Sequence, residues 1–235
     1  MAKNTYVLVH GAWHGGWRWS RLAPLLQAQG HTVFAPTLTG LGDRAHLARA
    51  DVDLDHHIKD IVMTLEAEDL SDVTVVGHSY AGFVITGVAD RAKARLRNLV
   101  YLDAFVPEDG KGLADYIPAE RQASFLKPAA AQGSFSPFPT AAFGVVDAKD
   151  SAWVTAHLVN QPFYTMVRPL RLTHPSGNGL PRAYIYCSQP AMGAFDHFAA
   201  AIRNDPSWIF REMKCGHDAM VIDPAGLARV LTEFA

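Results

Sequence analysis

Only two cysteines occur among the 235 residues, too few for a disulfide framework. No apolar run reaches the roughly 18 residues that a membrane-spanning helix needs. Neither sign of charge dominates: 21 Lys+Arg against 23 Asp+Glu leave −2 with histidines neutral. That balance gives no electrostatic reason to expect nucleic acid. Charged residues make up 19 % and hydrophobic ones 49 %, which excludes a disordered charged tail. No internal repeat or low-complexity tract stands out. The opening Met1-Ala2-Lys3-Asn4-Thr5 runs into a strand-like segment without a signal-type apolar stretch. The expectation is a cytoplasmic globular protein, large enough to bury a sizeable core as one domain or as a core with an insertion.

Short β-branched runs alternate with helical stretches. Tyr6–Val9, Thr32–Ala35, Val73–Val76 and Leu99–Leu102 read as strands. Helices are expected over Trp17–Gln29, Leu54–Ala67 and Ala81–Asp90, from apolar residues spaced three and four apart. After residue 181 the rhythm resumes with strands at Ala183–Cys187 and Trp208–Met213, and helices at Phe195–Ile202 and Pro224–Phe234. Asp223 and Pro224 make a good helix start. Strands apolar at nearly every position predict an α/β fold: a mostly parallel sheet with helices on both faces. From 107 to 181 the pattern breaks, with nine prolines, counting Pro181 at its end, and many large aromatics. A linker does not carry such aromatics. Residues 1–106 and 182–235 are therefore expected to form the core, and 107–181 a small inserted cap.

Gly77-His78-Ser79-Tyr80-Ala81-Gly82 sits between a predicted strand and a predicted helix. A sharp strand-to-helix turn with small flanking residues exposes a serine oxygen above the sheet, which makes Ser79 a candidate nucleophile. The rival reading is an ordinary tight turn. Ala81 stands where the strict pattern has glycine. A serine hydroxyl needs a base. Of eleven histidines, His217 falls just after the last strand, where sheet topology delivers it to the same edge as Ser79. His10, His14 and His78 sit in turns nearby and are expected to line the site or bond locally. His31, His46, His56 and His57 lie on distant elements; His157, His174 and His197 have no positional argument. For the acid, Asp103 directly follows four apolar strand residues, where an unpaired carboxylate would be costly. It is the first choice, Asp196 the second and Asp218 the third. The bland alternative for Asp103 is a strand-end cap. The glycine-rich stretch His10 to Trp17 can aim backbone N–H groups at a developing oxyanion. The N–H groups of Ala12 and Tyr80 are assigned to that role. Trp13, Tyr80, Phe105 and Trp153 are expected to line the substrate pocket, although most aromatics here serve packing.

His10-Gly11-Ala12-Trp13-His14-Gly15-Gly16-Trp17, Gly77-His78-Ser79 and Gly216-His217-Asp218-Ala219-Met220 together resemble the α/β-hydrolase superfamily. More narrowly they resemble its plant methylesterase and hydroxynitrile lyase branch and that branch's bacterial esterase relatives. The resemblance implies a Ser-His-Asp mechanism on a small-molecule ester, a small apolar pocket under a cap, and no cofactor or metal. The branch's plant members carry their acid where this chain has Ser188-Gln189-Pro190, and a small apolar residue where it has Asp103. The two departures compensate each other. Lyase members carry a threonine and a lysine at the positions of Gly11 and Asp218, so ester hydrolysis is favoured over cyanohydrin cleavage. A carbon–carbon bond hydrolase, a lyase, a lactonase or a non-catalytic small-molecule binder remain as alternatives. Nucleic acid and membrane partners are not expected, and a homodimer is left open.

Overall fold

The computed structural model describes residues 3–234. Six parallel strands form the central sheet in the order β2-β1-β3-β4-β7-β8. They are β1 (Thr5–Val9), β2 (Thr32–Phe34), β3 (Val73–His78), β4 (Leu96–Leu102), β7 (Arg182–Cys187) and β8 (Trp208–Met213). All six residues of β3 are buried, as a central strand covered on both faces requires. The flanking strands β2 and β8 are partly exposed. Helices α1 (Ala23–Ala28), α2 (Leu54–Ala67) and α3 (Ala81–Ala92) connect the first half. Helices α7 (Asp196–Ile202), α8 (Ala219–Ile222) and α9 (Pro224–Thr232) complete the second. The helix α2 buries Leu54, Ile58, Ile61 and Leu65 along one stripe. Each such residue contributes about 1.5–3 kcal/mol on burial.

The expected helix over Trp17–Gln29 is two pieces: a 3-10 turn at Gly16–Trp19, then α1. Pro24 lies in the first turn of α1. Its ring and missing N–H are tolerated there but not in the interior of a continuous helix. Helix α8 had no clear signal in the sequence. The side chain of Asp223 accepts the Gly226 N–H at 2.8 Å, capping α9 as its sequence suggests.

Between β4 and β7 lie α4 (Ala119–Gln132), β5 (Ser134–Phe135), α5 (Ala148–His157), β6 (Gln161–Pro162) and α6 (Phe163–Val167). The strands β5 and β6 form a small antiparallel ladder in which Phe135 faces Gln161. Phe135 stacks between Phe125 and Phe163, with ring centroids 4.6 and 5.4 Å away. Most of the aromatics in this stretch therefore pack on one another.

Candidate active site

Parallel register brings the ends of β1, β3, β4, β7 and β8 to one edge, where Ala12, Ser79, Asp103 and His217 follow their strands. Ser79 follows β3 at once and has φ +57°, a left-handed conformation costly for a serine. Three backbone bonds hold it: its N–H donates to Leu102 O at 3.2 Å, and its carbonyl accepts from Gly82 and Phe105 at 3.1 and 3.2 Å. Helix α3 starts only two residues later, so strand and helix nearly touch. A Cβ on Gly77 would sit 2.8 Å from Ala81 O, and one on Gly82 would sit 1.9 Å from Phe105 O. The second required glycine is thus Gly82, one position beyond the Ala81 that replaces it in the strict motif.

Asp103 follows β4, is fully buried, and also takes a positive φ of +41°. Its Oδ1 accepts the Cys187 N–H at 3.1 Å. Its Oδ2 lies 2.6 Å from His217 Nδ1. A carboxylate there holds the proton on Nδ1 and leaves the Nε2 lone pair free to act as a base. The imidazole of His217 lies flat against Phe195, with centroids 5.1 Å apart and planes at 7°, while His78 packs on it at 4.3 Å. The His78 Nε2–H donates to the His217 carbonyl at 3.0 Å. Asp196 is elsewhere: it accepts the Tyr186 hydroxyl at 2.8 Å. Asp218 forms a fully buried ion pair with Arg18. Burial disfavours the charged guanidinium of Arg18 and pulls its pKa down; the Asp218 carboxylate is its counter-charge.

Among the described residues, the N–H groups of Ala12 and Tyr80 have no protein acceptor, whereas the neighbouring Trp13 N–H is bound to Gln161. His14 bonds within its own turn to Ala12 O, whereas His10 and His78 reach Leu38 and His217 on other elements. His10 Nδ1–H donates to Gly11 O at 2.8 Å and its Nε2 accepts from Leu38 N–H at 3.0 Å. His56 completes the capping box of α2 with Asp53. His57 donates through Nε2 to Thr39 O at 2.8 Å and accepts the Tyr80 hydroxyl at 2.9 Å.

Ser79 opens into a cavity of about 750 Å³. Trp13, Tyr80 and Phe105 line it, as expected from the sequence, together with Tyr116, Phe138 and Phe195. Trp153 does not reach it. The Trp153 ring instead packs edge-on to Trp17 at 5.1 Å and under the Arg21 guanidinium at 4.8 Å. Its helix α5 directs that ring toward the start of the chain's first helical turn. The ligand-type atoms of His78, His217 and Asp218 lie within 4.8 Å of one another. Each is already committed: His78 to a carbonyl, His217 to Asp103, and Asp218 to Arg18.

The profile of the alpha/beta hydrolase family matches residues 6–230. The chain belongs to that family. A carbendazim hydrolyzing esterase from Nocardioides sp. (strain SG-4G) is 44 % identical over 96 % of this chain and 97 % of its own length. Methylesterase 2 of Arabidopsis thaliana is 27 % identical over 99 % of this chain and 96 % of its own. An extracellular alpha/beta-hydrolase from a Paenibacillus species superposes with a TM-score of 0.85 at 26 % identity, covering 99 % of each chain. These relatives support a carboxylesterase function. Among the described residues, no helix of this alpha/beta hydrolase is long and apolar enough to cross a membrane.

Reading the sequence missed three features of the site. The Arg18–Asp218 pair joins residues 200 positions apart, with no local signal. Gln161, which binds the Trp13 N–H, carried none either. Phe138 and Tyr116 belonged to an aromatic-rich stretch whose composition did not say which rings face the cavity.

Proposed function

We propose that this chain hydrolyses small hydrophobic or aryl carboxylic esters through an acyl-enzyme on Ser79, with His217 as base and Asp103 as the acid that orients it. The observation that carries the reading is the 2.6 Å contact between His217 Nδ1 and Asp103 Oδ2, at the sheet edge that also carries Ser79 in a strained elbow. Ser79 Oγ bonds to the ester carbonyl carbon while His217 Nε2 takes its proton. The Ala12 and Tyr80 N–H groups meet the oxyanion. The carbon–oxygen bond to the alcohol then breaks, and His217 returns the proton to the leaving oxygen. Water enters and the same groups release the acid. Residues 107–181 act as a cap whose Tyr116 and Phe138 close an apolar cavity over the serine. Aryl esters and carbendazim are the first substrates to test. The buried, unbridged thiols of Cys187 and Cys215 fit a reducing compartment such as the cytoplasm.

A cyanohydrin lyase is the weaker reading. Asp218 with Arg18 forms a charge-balanced buried pair beside His217, which offers no free cation to a departing cyanide. The triad assignment is tested by exchanging the two acids. Asp103→Asn should lower kcat by about 10⁴, while Asp196→Asn should leave it unchanged. A crippled Asp196→Asn beside a near-normal Asp103→Asn would overturn the assignment.

A further inference from the structure

The peptide between Ala12 and Trp13 is held from both sides. The Ala12 carbonyl accepts from His14 Nδ1–H at 2.5 Å, and the Trp13 N–H donates to Gln161 Oε1 at 3.0 Å. Trp13 itself has φ +66°, a conformation that bulky residues adopt only where their surroundings enforce it. The enforcing contacts come from one place. The Trp13 carbonyl accepts from Val159 N–H at 3.0 Å, and its indole N–H donates to Phe135 O at 2.9 Å. Phe135 and Gln161 face each other across the β5–β6 ladder. Gln161 is fully buried and is fixed in turn: its Nε2 donates to Thr165 Oγ1 at 2.7 Å, and that hydroxyl donates to Pro162 O at 2.6 Å. Nothing in the proposed acyl transfer uses Gln161, yet it grips the peptide adjoining an oxyanion donor.

We propose that Gln161 is a positioning residue for the oxyanion hole: its side-chain oxygen anchors the Ala12–Trp13 peptide to the β5–β6 ladder and so aims the Ala12 N–H. This rests on the reading that the Ala12 N–H meets the oxyanion. Docking of the 107–181 segment and assembly of the oxyanion hole thereby become one event. An oxyanion donor is useful only within a narrow distance of the developing charge, so an unanchored peptide loses transition-state binding more than substrate binding.

The test compares the wild type with Gln161→Met, which keeps the volume and removes the acceptor, and with Gln161→Glu, which keeps an acceptor. Two probes are used. An aryl trifluoromethyl ketone adds Ser79 Oγ to form a tetrahedral oxyanion, and the matching methyl ketone only occupies the pocket. Gln161→Met should lower kcat by about 10- to 100-fold, with KM within about twofold of wild type. The inhibition constant of the trifluoromethyl ketone should rise by a similar factor, and that of the methyl ketone should hold. Gln161→Glu should retain a kcat above that of Gln161→Met. If Gln161→Met does not fold, Gln161→Asn serves, because its carboxamide recedes by one methylene and should give the same split. A folded variant with wild-type kcat and ketone affinity overturns the proposal, as does a loss confined to KM and shared by both ketones. A wild type that binds the two ketones equally would instead overturn the oxyanion reading beneath it.

Discussion

At the scale of single residues, four buried imidazoles near the candidate site are kept neutral, and one of them, His78, packs on His217. Burial lowers the pKa of His10 and of His57 to about 4, and pushes those of His14 and His78 well below the ordinary 6.5. Neutrality suits their bonds, since His10 and His57 each donate through one nitrogen and accept through the other. A protonated His57 could not accept the Tyr80 hydroxyl, and Tyr80 is the proposed second oxyanion donor. The folded pKa lies below the unfolded one, so between pH 6.5 and about 4 the unfolded chain binds more protons at His10 and His57 than the folded chain does. Their contribution to stability is complete above pH 6.5 and is lost as pH falls through that window. Each should cost on the order of 1 kcal/mol per pH unit. Thermal unfolding followed from pH 7.5 to 4.5 should show a midpoint falling by several degrees per unit below about pH 6. A midpoint that stays flat to pH 4.5 would contradict the buried neutral state.

At the scale of elements, the decisive contact is the crossing of α3 over the turn that follows β4. Gly82 lets the helix lie against Phe105 O, and the same turn carries Asp103. A methyl at position 82 must displace backbone rather than a flexible side chain, so Gly82→Ala should destabilise the fold by about 1–3 kcal/mol. It should also lower kcat, because the displaced turn orients Asp103, the proposed acid. Ala81→Gly should cost no more than about 1 kcal/mol, the helix-propensity difference. Urea unfolding of both variants checks this, and a Gly82→Ala protein as stable as wild type would contradict the close crossing. Much at this scale was legible beforehand. The limits of α2 and β8 followed from periodicity, and Asp103 stood out as a charge at the end of an apolar run. The break in the first helix was legible too, in Pro24, but the apolar spacing of Trp19, Leu22, Leu25 and Leu26 masked it. The motif's glycine was displaced by one residue because its requirement comes from a tertiary contact with Phe105, which no local pattern records.

At the scale of the whole molecule, sheet topology does most of the assembly. Parallel strands deliver Ala12, Ser79, Asp103 and His217 to one edge from positions spread over more than 200 residues. That is why strand order plus a few motifs were enough to nominate these four residues together. The 107–181 segment resisted the same treatment. Its aromatics are near-equivalent in sequence, and only packing decides that Phe138 reaches the cavity while Trp153 turns to Trp17 and Arg21. Gln161 was silent for the same reason: its partner lies 148 residues away. The account stands or falls on whether the chemistry runs through Ser79. The direct measurement is p-nitrophenol release from short and aryl p-nitrophenyl esters by the wild type and by Ser79→Ala, with cyanide release from mandelonitrile followed alongside. The account predicts ester turnover by the wild type, a fall of about 10⁶ in kcat without the serine, and no cyanide. Turnover that survives Ser79→Ala, or cyanide release without ester turnover, would contradict it.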